Sequence, residues 1–367
     1  MIADSIRTRP LFPRSVLPTI FPWLDAPQAI VLVDSRQVGK TCILYLLIQH
    51  LLAQRVHPRN LFYFDLEVLD HLNLLNSLSF EEFLQFKHQT TSHQILEDYK
   101  LSGLLQEDQL PPSLPDLYSH PLQNFLDEYC RYGGYPAVVL EPDLEKKLML
   151  LNEIYSTYVH RDLGSLFTIE NLHAFNQLVQ LLALEMGQLL NVNTLTTDLA
   201  ISRPTLEKYL TILENTFIIR RVRPFFRRKK REVIKMPKLF FFDLGLRNLV
   251  VKQFGELGIR PDRGALMENF TFIHLYRGLR VLNELHFWRT KNGTEVDFVV
   301  QAGEDLLPIE VKYQGMTRIR VPPGMQSFLS VYPAAQAAVI TKDAYGQKHR
   351  HNTRVIFLPA WLLGSLG

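Results

Sequence analysis

The run Val31-Leu32-Val33-Asp34-Ser35-Arg36-Gln37-Val38-Gly39-Lys40-Thr41 is the feature that most restricts how this chain can fold. Ala29 to Val33 is a short apolar run suited to a buried strand, and Cys42 to Ala53 is apolar-rich without Gly or Pro, as a helix requires. Strand, loop and helix are the setting of a phosphate-binding loop, G-x-x-x-x-G-K-[ST]. In such a loop backbone N–H groups wrap the phosphates, the lysine reaches the outer ones and the hydroxyl holds Mg²⁺. Gly39, Lys40 and Thr41 match the last three positions. Asp34 stands where the first glycine belongs. It restricts backbone approach to the anion and sets a carboxylate beside it, which weakens nucleotide binding. The competing reading is an ordinary strand-to-helix turn that spells V-G-K-T.

The segment after this unit is short. Leu61-Phe62-Tyr63-Phe64-Asp65 has the shape of the second acidic strand that a P-loop enzyme uses to hold Mg²⁺, but it follows the loop's own helix directly. By Ser79-Phe80-Glu81-Glu82 another helix has started through a capping box. Two strands and one helix cannot close a doubly wound sheet, so this end must lean on the rest of the chain or on a partner subunit. ATP with Mg²⁺ is expected to bind weakly at most, with little or no hydrolysis.

A chain of 367 residues with 47% hydrophobic content can build about two to three domains. Cys42 and Cys130 are its only cysteines, which gives neither a disulfide framework nor a zinc cluster and suits a reducing cytosol. Arg7, Arg9 and Arg14 are spread among prolines and leave no compact signal-peptide core, and no apolar run reaches the roughly 18 residues of a membrane span. The expectation is a cytoplasmic protein without a membrane partner.

Charge is unevenly distributed. Ten basic residues and one acid, Glu232, lie between Arg220 and Lys238, a local sum of +9 in a chain whose total is +3. This stretch follows a helix-turn-helix pattern. Asn193 to Ala200 reads as a short helix, Ile201-Ser202 as turn and cap, and Arg203 to Asn215 as a second helix with Pro204 in its first turn. Leu206, Tyr209, Leu210 and Leu213 form its apolar stripe. Phe217 to Val222 and Lys238 to Phe242 read as strands joined by Arg227-Arg228-Lys229-Lys230-Arg231, which makes a winged helix. Arg203, Lys208 and the basic loop can track DNA phosphates. A protein-binding module with a solvated basic face is the alternative.

The last third carries a second constellation. Glu295-Val296-Asp297-Phe298-Val299-Val300 and Leu307-Pro308-Ile309-Glu310-Val311-Lys312 read as a hairpin around Gly303-Glu304-Asp305. Strand alternation puts Glu310 and Lys312 on one face with Asp297 opposite them. This D…E-x-K pattern is similar to that of restriction-endonuclease-like nucleases, in which two carboxylates hold Mg²⁺ or Mn²⁺ and the lysine positions water and stabilises charge. Glu268, in a helix predicted from Ala265 to Leu279, is a further candidate ligand. Salt bridges at a sheet rim are the structural alternative. His160-Arg161-Asp162-Leu163 and Asp243-Leu244-Gly245 imitate kinase motifs, but position 167 is Phe where that loop needs Asn and no kinase glycine loop precedes them. Leu239 to Asp243 also imitates an acidic P-loop strand, yet lies beyond the winged helix.

Taken in order, the R-Q-V-G-K-T loop, L-S-F-E-E-F, Gly133-Gly134-Tyr135-Pro136, Tyr158 with Arg161-Asp162, Phe241-Phe242-Asp243-Leu244-Gly245-Leu246-Arg247, Glu268-Asn269 and the hairpin form one ordered set. The set resembles the prokaryotic AAA-type ATP-binding proteins that end in a domain of unknown function with a restriction-endonuclease-like fold. The resemblance implies an α/β multi-domain chain in four parts. These are a truncated P-loop unit over 1–68, a helical segment over 69–165 with a linker near 110–121, a winged helix over 166–250 and a PD-(D/E)XK nuclease-like α/β domain over 251–367. Three functions stay open: an ATP-binding protein degenerate in hydrolysis, a metal-dependent nuclease, and a non-catalytic DNA-binding or regulatory module. A homo-oligomer or a partner subunit would complete the P-loop part.

Overall fold

The computed structural model describes residues 17–24, 40–56, 77–107, 109–113, 116–157, 169, 171–226, 235–280, 282–316 and 318–363. The chain divides into two compact units, Met1–Leu74 and Leu75–Gly367. In the first, helix α1 (Leu17–Ile20) and a 3₁₀ turn (Phe21–Trp23) are followed by α2 (Lys40–Ala53). Leu17, Ile20, Ile43 and Leu47 form a small buried cluster, and the Phe21 ring stacks on His50 with centroids 3.8 Å apart. Helix α2 is described from Lys40 onward. Residues 25–39, the side chains of Lys40 and Thr41, and the acidic strand expected at 61–65 lie outside the described residues.

The second unit opens with three helices, α3 (Phe80–Phe86), α4 (Thr90–Asp98) and α5 (Leu101–Gln106), where the sequence predicts one continuous helix over 83–110. The chain turns at His88, whose φ of 56° is left-handed, and each short helix turns leucines into the core, among them Leu84, Leu96, Leu101 and Leu104. The capping box is present: Ser79 Oγ accepts from the Glu82 N–H and Glu82 Oε2 accepts from the Ser79 N–H. The linker expected near 110–121 is cut short at its end, because α6 runs from Asp116 to Tyr132 with Pro121 inside it, while 110–113 are neither helix nor strand. Leu122, Leu126 and Tyr129 make one buried stripe on this helix, and their burial outweighs the proline in its second turn.

Helices α7 (Pro136–Leu140), α8 (Leu144–Thr157), α9 (Leu172–Leu184), α10 (Val192–Asp198) and α11 (Arg203–Asn215) precede strands β1 (Ile219–Pro224) and β2 (Lys238–Phe241). Ser202 Oγ accepts from the Thr205 N–H and starts α11, whose Leu206, Tyr209, Leu210 and Leu213 are buried. Then come α12 (Leu244–Val251), α13 (Arg263–Arg277), β3 (Asn283–Arg289), β4 (Glu295–Ala302), β5 (Asp305–Lys312), α14 (Pro323–Val331), β6 (Gln336–Thr341), β7 (Gly346–Arg350) and β8 (Thr353–Pro359). The fold is mixed α/β. Its eight-stranded sheet has the order β2-β1-β3-β4-β5-β6-β8-β7. β1 pairs antiparallel with β2 and parallel with β3, so the hairpin that follows α11 continues into the sheet of the last third. Among the described residues no helix is long and apolar enough to cross a membrane.

Two contacts fix the helices that frame the site. The Asn269 side chain accepts from the Phe241 N–H at 2.7 Å and donates to its carbonyl at 2.8 Å, satisfying edge strand β2 and clamping α13 beside it. Asp243, two residues after β2, caps α12 through the Leu246 N–H and also accepts from the Gly134 N–H, both at 2.8 Å. Gly133 has φ +75°, and a Cβ there would lie 2.3 Å from Asp243 Oδ1. The kinase-like and P-loop-like reading of Asp243 thus dissolves into a buried helix cap.

Candidate active site

The hairpin predicted from sequence forms as β4 and β5, which pair antiparallel with Phe298 opposite Ile309. That register sets Asp297 alongside Glu310. Between β3 and β4 the register shifts: His286 faces Val299 and Trp288 faces Val296, so Phe287 alone stands against Asp297 and Phe298. Such a bulge re-aims side chains. Val296 and Val299 join the apolar cluster that includes Met325 and Phe328 of α14, whereas Phe298 and Val300 join the larger core with α13. Asp297 is buried at the point of the shift, and its Oδ2 accepts from the Val311 N–H at 2.7 Å.

Glu310 is also buried. Its Oε2 accepts from the Met325 N–H in the first turn of α14 at 2.9 Å, and its Oε1 meets Lys312 Nζ at 2.9 Å. Gly324 permits this approach, since a Cβ there would fall 1.9 Å from the Glu295 carbonyl oxygen. The Lys312 side chain remains 38% exposed and is the member of the cluster best able to meet a ligand.

Lys238, the first residue of β2, is the component that sequence reasoning missed. Its side chain is 4% exposed, and its Nζ lies 3.7 Å from Glu268 Oε2, 3.7 Å from Glu295 Oε1 and 3.8 Å from Asp297 Oδ1. The ammonium also sits 5.6 Å from the centroid of the Phe287 ring. Asn269 positions this encounter, because clamping α13 to Phe241 carries the neighbouring Glu268 toward the start of the same strand. Glu295 has a second cation, Arg289, at 2.7 Å.

Glu268, Asp297, Glu310 and Lys312 are shifted by burial and by the charges around them. Burial, then the charge of Asp297, pushes the Glu268 carboxyl up to about 7, against the opposing pull of Lys238. Burial raises Asp297, opposed by Lys238 and the Val311 N–H, and raises Glu310, opposed by Lys312. Burial works against the charge of Lys312, yet the adjacent Glu310 outweighs it and the lysine is held above its ordinary value. Near neutral pH, Glu268 therefore exists in both protonation states beside a fully charged Lys312. That combination can exchange a proton and stabilise an anion.

Mg²⁺ or Mn²⁺ on Glu268, Asp297 and Glu310 is implied by the family resemblance, but the donor set does not fit an ion in this arrangement. Among the described residues no three His, Cys, Asp or Glu side chains form a group that could hold a metal. The inward oxygens of Glu268 and Asp297 face Lys238 instead, and those of Glu310 face Lys312 and a backbone N–H.

Of the residues expected to touch nucleic acid, the structure describes Arg203 and Lys208. Arg203 and Lys208 are exposed on α11, and Arg203 lines a cavity of about 360 Å³ with Arg223 and Lys235. Arg221, by contrast, is engaged by Glu207 at 2.8 Å and Glu214 at 2.6 Å. Arg227, Arg228, Lys229, Lys230 and Arg231 lie outside the described residues, as do Tyr158, Arg161 and Asp162.

Residues 123–261 match a family described as a domain of unknown function (DUF8612), and residues 263–362 match another (DUF4143). The carboxylates and Lys312 fall in the second stretch and Lys238 in the first, so the centre draws on both. The chain is similar to an uncharacterized protein of Haemophilus influenzae, 27% identical over 258 residues, 68% of this chain and 60% of that protein. It is also similar to an uncharacterized protein of Methanocaldococcus jannaschii, 28% identical over 198 residues (53% and 43% of the two chains). A third, uncharacterized protein is from Mycobacterium tuberculosis, 25% identical over 232 residues (62% and 51%). The chain thus spans about half the length of the curated relatives it matches. No solved structure matches it.

Proposed function

We propose that this chain is a nucleic-acid-associated P-loop protein whose chemistry is phosphodiester hydrolysis at its C-terminal centre, with the AAA-type nucleotide site reduced to weak binding. The observation that carries this reading is the convergence of Asp297, Glu310 and Lys312 from adjacent strands with Glu268 from α13. Burying so many ionisable groups together is costly, and perturbed carboxylates of this kind concentrate where protons and charges are handled. Lys312 is assigned to the phosphate oxygens, Glu268 to proton transfer with water, and Asp297 to holding Lys238 and the β5 backbone in place. Arg203, Lys208 and the basic loop at 227–231 are assigned to DNA through a winged helix.

The test is strand scission of labelled single-stranded and duplex DNA and RNA, with Mg²⁺, with Mn²⁺ and with chelator. Wild-type protein is expected to cut at least one of these substrates, and Asp297→Asn and Lys312→Ala to cut at least tenfold more slowly at a temperature where circular dichroism shows each variant to be folded. Uncut substrates under all conditions would remove the nuclease reading and leave the non-catalytic one. For the P-loop, ATP turnover is expected to be no greater in the wild type than in Lys40→Ala. Turnover that Lys40→Ala abolishes would restore an ATPase.

A further inference from the structure

Beside Lys312 the surface opens into a groove of about 680 Å³ whose lining includes Arg318, Arg320, Lys348 and Arg350. All four are exposed. From Val311 to Arg350 the sequence holds six Lys or Arg and one acid, Asp343. That acid receives the Met316 N–H at 3.4 Å, and among the described residues none of the four cations has an ion pair.

The arrangement is built rather than incidental. Arg318 and Arg320 flank Ile319, which packs against the apolar cluster under α14 and lies so close to Gly346 that a Cβ there would be 2.7 Å from its Cδ1. The loop is thereby pinned to β7, the edge strand that carries Lys348 and Arg350. Gln326 of α14 lines the same groove, and the preceding Met325 N–H holds Glu310. One end of the basic track is Lys312, which is ion-paired with Glu310 inside the centre. Lysines and arginines on an edge strand also discourage strand pairing between molecules. That role explains β7 alone. It does not explain the arginines that a separate loop brings to the same groove.

We propose that this groove binds the phosphodiester backbone of a nucleic-acid strand and leads it to Lys312. The proposal rests on reading the adjacent centre as one that handles phosphodiesters, and it places the track that leads into that centre on β7 and on the segment that carries Arg318 and Arg320, apart from the DNA contact assigned to α11. Recognition is of the backbone, because unpaired cations neutralise phosphates without reading bases.

The experiment measures binding of a fluorescein-labelled single-stranded oligonucleotide and of its duplex across a salt series. The proteins are the wild type, Arg318→Ala/Arg320→Ala, Lys348→Ala/Arg350→Ala and the fourfold combination. Each pair is expected to weaken oligonucleotide binding at least fivefold and the combination at least twentyfold. The slope of log affinity against log salt should shrink by about three in the combination, at roughly 0.7 per neutralised phosphate contact on a single strand. Circular dichroism and thermal melting check folding, and the two pairs stay informative if the combination does not fold. Unchanged affinity and slope would overturn the proposal. So would affinity that disappears in Arg203→Ala/Lys208→Ala and not in the groove variants, or groove-dependent binding to phosphatidylserine vesicles with none to oligonucleotide. Groove-dependent binding without scission would remove the reading of the centre and leave the groove. Scission with binding indifferent to the groove would do the reverse.

Discussion

Replacing Lys238 with methionine is expected to lower the unfolding free energy by about 3 kcal/mol at pH 8, and by far less at pH 5. Methionine keeps an apolar stem of similar length over Phe287 and removes the ammonium that lies within 4 Å of Glu268, Glu295 and Asp297. Glu268 and Glu295 are 24% and 32% exposed, so solvent screens part of their loss, whereas Asp297 at 4% has little recourse. The sign with pH follows from the carboxyls. Asp297 and Glu268 are already raised by burial, and Lys238 lowers both. Without it they rise further above their unfolded values, and their protonated forms need no counter-ion. The destabilisation is therefore full above those raised values and fades as pH falls below them. Urea unfolding of both proteins at the two pH values measures this, and an equal loss at each would mean that Lys238 acts through packing. For a protein of ordinary stability, about 5–15 kcal/mol, the expected loss is a large part of the total.

The local pieces of the fold, and of this centre where they are strand alternation, were legible in the sequence, and the reason is their short range. Ser79 and Glu82 announce a capping box, Ser202 announces α11, and the alternation in β4 and β5 announces a hairpin with Asp297 near Glu310-x-Lys312. Each depends on residues a few positions apart. Lys238 could not be read in the same way. It reaches Asp297 only because β1 pairs in parallel with β3, which brings β2 into the sheet, and because Asn269 holds α13 to Phe241. The bulge that leaves Phe287 against both Asp297 and Phe298 is equally silent, since a perfect alternation and one with an extra residue differ by a single position.

The basic groove escaped for a related reason. Arg318 and Arg320 are separated from Lys348 and Arg350 by a helix and a strand, so no dense charge run marks them, unlike the conspicuous stretch from Arg220 to Lys238. Within that stretch, Arg221 turns out to be spent on Glu207 and Glu214, and Lys238 on the acidic centre. Local charge density identified basic residues, and only the tertiary arrangement separates those that have acid partners from those that do not. The helix breaks at 87–89 and the helical Pro121 belong to the same class, being decided by which leucines the core accepts.

Replacing Glu268 with glutamine is expected to stabilise the protein at pH 8 while impairing its chemistry. The Glu268 carboxyl titrates at about 7 in the folded protein, against an ordinary value of 4.5. An acid raised in this way favours folding below its unfolded pKa and loses that contribution as pH rises through the folded one. Ionising Glu268 in place thus costs roughly 3 kcal/mol between pH 4.5 and 7, an order-of-magnitude figure because Asp297 shares the titration. Glutamine removes the cost, so the variant should gain stability over the wild type through this window and hold the gain at pH 8. Lys238 keeps Asp297 and Glu295 as partners, and Lys312 keeps Glu310. His274 adds an opposite slope in both proteins. It is buried and neutral, with its pKa lowered to about 4 by burial, and it destabilises the fold as pH falls. Taking the difference between variant and wild type cancels that contribution. Chemical denaturation at half-unit steps from pH 4.5 to 8 reads the result, and a difference that does not change with pH would show that Glu268 is ionised throughout. A gain in stability together with a loss of scission is the pattern of a carboxyl retained for proton transfer at the expense of the fold. A gain with scission intact would move the proton-transfer role away from Glu268 and leave Lys312 as the group that meets the phosphate.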